Sequence, residues 1–257
     1  MRAPFILCYH AVSSSWPARL AVTEELLAEQ VGLLARRGYV GLTLAEAERR
    51  RQTGALPERS VVVTFDDAYL STARAKPILD ELAYPATVFV VTSFPASGRL
   101  LSWPGVEQWT QGEYAAEMSP LGWDGLGELR EGGWEIGSHT VTHPKLPEVS
   151  DAQLAEELDA SRQTIEDRLG SCETIAYPYG LADDRIAGAA RRVGYLAGVT
   201  LSSAHRADEP LLRPRIGLNR KDTGLRLRTK LSPTFTRFRQ TSLAGGAAWL
   251  NERLGSR

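Results

Sequence analysis

Two short stretches of this 257-residue chain carry side chains whose types and spacing could do chemistry at a metal ion. The first is Val61-Val62-Val63-Thr64-Phe65-Asp66-Asp67. Its β-branched run predicts a buried strand that delivers two adjacent carboxylates. Buried like charges repel, so a fold keeps such a pair where a metal or a substrate proton offsets the repulsion. The second is Glu135-Ile136-Gly137-Ser138-His139-Thr140-Val141-Thr142-His143-Pro144. Imidazoles four apart lie on one side of a helical turn, close enough to reach one cation. The chain has only four histidines, and two of them stand here, just after a predicted strand. With the aspartates they supply two nitrogens and one or two oxygens, leaving positions open for water and substrate. Each stretch alone also reads as an ordinary polar turn.

The elements that must position these residues alternate between strand and helix. Strands are predicted at Phe5–Tyr9, Val61–Phe65, Ala86–Val91, Trp134–Gly137, Thr174–Tyr177 and Leu196–Thr200, with a seventh at Leu211–Ile216. Thr23 caps a helix that Gly38 ends, and Thr43 with Glu46 forms a capping box, as do Ser150 and Gln153. A helix over 69–82 contains Pro77, which kinks it or marks a boundary. The stretch 97–121 breaks the rhythm with Trp103, Pro104, Trp109 and Tyr114, and reads as loop or short helices laid over one end of the fold. About seven strands with intervening helices leave a parallel barrel and a doubly wound sheet open. In either, residues that follow strands share the functional face.

Composition narrows the field. A 43% hydrophobic chain of this length holds one large domain or two small ones, and a net charge of -1 gives no global pull toward nucleic acid. Cys8 and Cys172 are not spaced as a metal or redox pair, and Cys8 reads as a buried thiol. No apolar run approaches a membrane span, and five apolar residues before His10 are too few for a signal-peptide core, so a cytoplasmic location is expected. From Arg213 onward basic residues gather: Arg213, Arg215, Arg220, Lys221, Arg226, Arg228, Lys230, Arg237 and Arg239. They read as a solvated tail packing on the domain, or as an arm meeting anionic membrane or a phosphate-bearing substrate.

Thr64-Phe65-Asp66-Asp67, His139-Thr140-Val141-Thr142-His143 and Tyr177-Pro178-Tyr179-Gly180, in that order, resemble three motifs of the polysaccharide deacetylase family, carbohydrate esterase family four. Cys8-Tyr9-His10-Ala11-Val12 and the stretch 134–144 are similar to the branch that deacetylates bacterial poly-N-acetylglucosamine. The resemblance implies an α/β fold, a distorted (β/α)7-type barrel over 1–220, with a short basic extension over 221–257. It implies that Asp67, His139 and His143 bind one divalent ion that polarises the acetyl carbonyl and acidifies water. Zinc best suits such ligands, with cobalt, nickel and iron as alternatives. Asp66 would be the general base, and the Tyr179 backbone N–H, in a turn shaped by Pro178 and Gly180, would steady the oxyanion. The implied substrate is an N-acetylated glycan or a lipid- or nucleotide-linked precursor.

Two departures stand out. Ala176 occupies the position where the family places an arginine that orients the base, and Arg213 or Arg215 is the candidate replacement, with Arg215 placed among the substrate-binding residues. The family's late histidine, a general acid, is not visible; His10 is the first substitute and His205 the second. Trp103, Trp109 and Trp123 are candidates to line a sugar groove. The alternatives are a glycan-binding module without turnover, a deformylase or O-deacetylase, and an amidohydrolase acting on a small cyclic amide.

Overall fold

The computed structural model describes residues 3–201 and 208–232. The chain opens with β1 (Phe5–Tyr9), β2 (Ala11–Val12), β3 (Ala21–Val22), α1 (Glu24–Ala35), β4 (Val40–Leu42) and α2 (Leu44–Gln52). It continues through β5 (Ser60–Phe65), α3 (Ala75–Asp80), β6 (Ala86–Val90), α4 (Trp123–Glu131), β7 (Glu135–Ser138) and α5 (Asp151–Leu169). The last described elements are β8 (Thr174–Ala176), α6 (Asp184–Val193), β9 (Ala197–Thr200), β10 (Arg213–Pro214), β11 (Ile216–Gly217) and α7 (Gly224–Lys230).

The main sheet runs β10-β9-β8-β7-β6-β5-β1-β11, and every pairing in it is parallel. β4 pairs with Ser60–Val62 on β5, while β6 takes Val63–Phe65. The two ends of the path, β10 and β11, are separated by Arg215 alone. The sheet is therefore nearly closed, and the fold is the expected distorted (β/α)7-type barrel. The predicted seventh strand is in fact two short strands broken at that residue. β4 was not foreseen, because three residues carry too little pattern.

Parallel strands covered on both faces read as continuous apolar runs, and β1, β5 and β6 are buried at every position. Alternate residues serve two layers. Leu7, Val61 and Val63 pack with the helices, while Ile6, Val62 and Phe89 form a separate cluster with Leu44 and Ala47 of α2. Gly137 lets β7 pass Phe89, since a Cβ there would sit 2.7 Å from the ring.

The helix caps follow the chemistry. Thr23 accepts from the Leu26 N–H, and Ser150 with Gln153 forms a reciprocal box. Thr43 accepts from the Glu46 N–H, but the Glu46 carboxylate pairs with Arg50 instead of completing a box. The segment predicted as one helix over 69–82 is a 3-10 turn followed by α3, with Pro77 in the first turn of α3.

The basic C-terminal stretch is drawn into the domain. Asp222, fully buried, accepts from Arg226 and Lys230 at 2.8 Å each, and Arg213 pairs with Glu48 at 3.0 Å. Leu227 and Leu231 belong to the barrel's main apolar core, although they lie in the stretch assigned by sequence to the extension. Arg237 and Arg239 lie outside the described residues. Among the described residues no helix is long and apolar enough to cross a membrane.

Candidate active site

β5 ends in Phe65, and the Asp66 N–H still bonds the Tyr9 carbonyl of β1 at 2.9 Å. The chain then turns through left-handed backbone at Asp67 (φ 69°) and Ala68 (φ 54°). That turn sends two consecutive carboxylates to different partners. Asp67 Oδ1 faces His139 Nε2 at 3.3 Å and His143 Nε2 at 3.6 Å. Asp66 is gripped from the other side by Arg215, whose guanidinium donates to Oδ1 at 2.6 Å and to Oδ2 at 2.7 Å. Asp66, Asp67 and Arg215 are all less than 5% exposed.

The histidines do not sit on a helical turn, contrary to the reading from their spacing. They lie in a loop after β7, with left-handed backbone at Thr140 (φ 68°) and His143 (φ 62°). Glu157 of α5 holds this loop. One carboxylate oxygen accepts from the Val141 N–H at 2.7 Å and the Thr142 N–H at 3.0 Å, and the other accepts from the Thr142 hydroxyl. Thr140 Oγ1 accepts from the His143 N–H at 3.0 Å. His139 Nδ1 lies 2.7 Å from the Ala176 carbonyl, which can only accept. Nδ1 therefore carries a proton, and Nε2 is the nitrogen left facing Asp67. Trp103 stacks on the His143 ring, centroids 4.2 Å apart and planes at 27°.

The electrostatics follow from burial and neighbours. Burial pushes the Asp66 carboxyl up, but the Arg215 guanidinium outweighs it and holds the group well below the usual carboxylate range. Burial and the charge of His139 push His143 down to about 3, which leaves its imidazole neutral. Burial also pulls His139 down, but the facing Asp67 and Asp66 carboxylates reverse the direction.

Asp67 Oδ1 is a buried oxygen without a hydrogen-bond partner. The ligand atoms of Asp67, His139 and His143 lie within 4.8 Å of one another. A carboxylate oxygen that lacks a donor and faces two imidazole nitrogens is what a divalent ion would satisfy, so the residues fit one.

The remaining candidates divide. His10, half-buried at the end of β1, offers a ring nitrogen within 4.8 Å of the Asp66 carboxylate. Tyr179 (φ 58°) is half-buried, with its ring 4.8 Å from that of His143. Pro178 is buried at the start of the same 3-10 turn. Gly180 has φ +68° and no room for a Cβ, which would meet Leu201 at 2.4 Å. His205 lies outside the described residues.

Three expectations need correction. Arg215 is not placed to touch substrate; it is buried against Asp66, Thr64 and Phe89. Trp123 stands at the start of α4 with Arg168 of α5 over its ring at 5.9 Å, in a groove that shares no residue with the site. Trp109 packs edge-on against Trp16 in the apolar layer that also holds Trp103, itself only 8% exposed. Sequence reasoning missed Glu157, which carries no motif, and the approach of Cys8 Sγ to Asp66 Oδ2 at 3.5 Å. The i, i+2 spacing of Cys8 and His10 was a usable signal, because such residues leave one side of a strand.

The family model for polysaccharide deacetylase matches residues 53–198. The poly-beta-1,6-N-acetyl-D-glucosamine N-deacetylase of Staphylococcus aureus is 26% identical over 203 residues, covering 75% of this chain and 65% of that protein. The chain thus spans 63–65% of the length of the curated relatives it matches. Among solved structures, the Streptococcus pyogenes deacetylase PplD in complex with acetate superposes with a TM-score of 0.75 at 27% identity, covering 89% of this chain and 98% of that one. IcaB from Ammonifex degensii gives 0.70 at 25%, covering 93% and 97%. The matched segment contains the paired aspartates, both histidines of the loop and the turn at Tyr179, and with the shared barrel it makes this chain a member of the polysaccharide deacetylase family.

Proposed function

We propose that the protein hydrolyses the acetamide of an N-acetylated hexosamine in a glycan or glycan precursor, releasing acetate and a free amine. The observation that carries this reading is the division of the aspartate pair: one faces two imidazoles, the other a buried guanidinium. Asp67, His139 and His143 would hold a divalent ion, and zinc best suits two imidazoles and a carboxylate. Such an ion, when bound, polarises the acetyl carbonyl and makes water a better acid.

The chain's own groups account for the rest. Asp66 takes the proton of the attacking water, and Arg215 keeps it ionised and aimed. His10, across the site from the histidine loop, returns a proton to the departing amine nitrogen. The Tyr179 backbone N–H, in its left-handed turn, is available to the carbonyl oxygen as it gains charge. Trp103 shields the His143 ring from water. Residues 208–232 complete the catalytic domain, since Arg215 comes from them.

A non-catalytic glycan binder was suggested by the absent late histidine and by Ala176, which lacks the guanidinium that orients the base. Arg215 reaches Asp66 from β10–β11 instead and removes the second ground. The reading is tested by acetate release from N-acetylglucosamine oligomers after reconstitution with zinc, cobalt or nickel. Turnover in the wild type, lost in Asp66→Asn with metal retained, is the expected result. Full metal uptake with no acetate from any acetylated glycan would refute it.

A further inference from the structure

A second set of donors lies beside the first and shares no residue with it. Cys8 and His10 leave the same side of β1 at its carboxyl end, and β1 is hydrogen-bonded to β5, which delivers Asp66. The Cys8 sulfur, a ring nitrogen of His10 and a carboxylate oxygen of Asp66 all lie within 4.8 Å of one another, as do the ligand atoms of Asp67, His139 and His143, and the sulfur is 3.5 Å from Asp66 Oδ2. Cys8 is 1% exposed and His10 half-buried, so the set is open on the histidine side.

We propose that Cys8, His10 and Asp66 form a second cation site, selective for thiophilic divalent ions such as zinc, whose occupation inhibits the enzyme. One sulfur, one imidazole and one carboxylate are a zinc-type donor set, and water can supply a fourth ligand. On binding, the Cys8 S–H bond breaks, the sulfur bonds the cation and the proton leaves to solvent. Burial pushes the Cys8 thiol up, so only an ion with a strong preference for sulfur displaces that proton. Both Asp66 oxygens already accept from Arg215, whose positive charge opposes a second dication. The site is therefore weaker than the first and fills only in excess metal. Inhibition follows because the ion occupies lone pairs of Asp66 and His10; this part rests on the roles proposed above, but binding itself does not.

Cobalt(II) titration of the metal-free protein reads the two sites apart. The first equivalent is expected without sulfur-to-cobalt charge-transfer absorption, and excess cobalt then brings that absorption up. Cys8→Ser abolishes the late band and keeps the first equivalent, while Cys172→Ser keeps both. Excess zinc lowers wild-type turnover about tenfold, and that of Cys8→Ser less than about twofold, each against the same protein at one equivalent. If Cys8→Ser does not fold, His10→Gln, at a half-exposed side chain, must shift the late band to higher cobalt. A wild type that takes its first equivalent and shows no sulfur band at any excess overturns the second site and leaves the proposed function standing. So does a late band that survives Cys8→Ser. A protein that fails to take the first equivalent but shows the sulfur band speaks against the Asp67–His139–His143 centre alone.

Discussion

Asp66 and Glu135 are carboxylates at opposite ends of the barrel strands, and the fold treats them in opposite ways. Glu135 opens β7 and is partly buried, with three neutral donors: the Thr174 hydroxyl at 2.6 Å, the Thr87 hydroxyl at 2.9 Å and the Ala45 N–H at 3.0 Å. Burial outweighs these bonds and pushes the pKa of its carboxyl above the usual carboxylate value. Asp66 follows β5 and has a fixed cation, which holds its carboxyl well below the usual carboxylate range. Neutral donors satisfy a carboxylate as a structural acceptor; a guanidinium keeps it a base. The backbone draws the same line. Among the described residues, Asp67, Ala68, Thr140, His143, Tyr179 and Ala83 are the non-glycine positions with positive φ, and all but Ala83 lie in the site loops. Each such position costs on the order of 1–3 kcal/mol, and all but one stand in the loops that aim the site's side chains.

The largest expected effect is at Arg215. Removing one partner of this buried pair costs about 3–5 kcal/mol, read by chemical denaturation. It also removes the strongest influence holding the Asp66 carboxyl down against burial. The base must be ionised to work, so a carboxyl that protonates at higher pH moves the acid limb of kcat/KM to higher pH in Arg215→Ala. An unmoved limb would break the contrast with Glu135. Glu157→Ala comes next. Losing the carboxylate that fixes the histidine loop is expected to weaken metal binding about 10–100-fold by equilibrium titration, with a smaller change in melting temperature.

At the other end of the barrel, Glu135→Ala should cost about 1–3 kcal/mol, because three donors lose their acceptor. Turnover of the folded enzyme is expected to stay unchanged, and Glu135→Gln to recover most of the stability. A Glu135 variant with a shifted pH profile would blur the distinction. Smallest is Ser150→Ala, where loss of the α5 cap costs about 1 kcal/mol by thermal unfolding and leaves metal affinity alone.

What could be read from sequence depended on how local each feature is. Asp66–Asp67 and His139…His143 are legible because neighbours in the chain deliver the donors together. The helical reason given for the histidine spacing was nonetheless wrong: left-handed residues without a glycine leave no sequence mark. Arg215 was legible only as one of two arginines that could reach the base, since 149 positions separate it from Asp66 and barrel closure brings them together. The tryptophans show the converse. Residue type alone suggested a sugar groove for all three, yet Trp123 sits between α4 and α5 and Trp103 is spent on the His143 ring. Strands with continuous β-branched runs were found within a residue or two. The three-residue β4 and the break at Arg215 were not, because both are set by closure of the sheet.

The division of the aspartate pair is tested most directly by titrating zinc into Asp66→Asn and Asp67→Asn side by side. The account predicts that Asp66→Asn binds one zinc within about threefold of the wild type, while Asp67→Asn is weaker by about a hundredfold or more. Equal losses in the two variants, or a greater loss in Asp66→Asn, would contradict it.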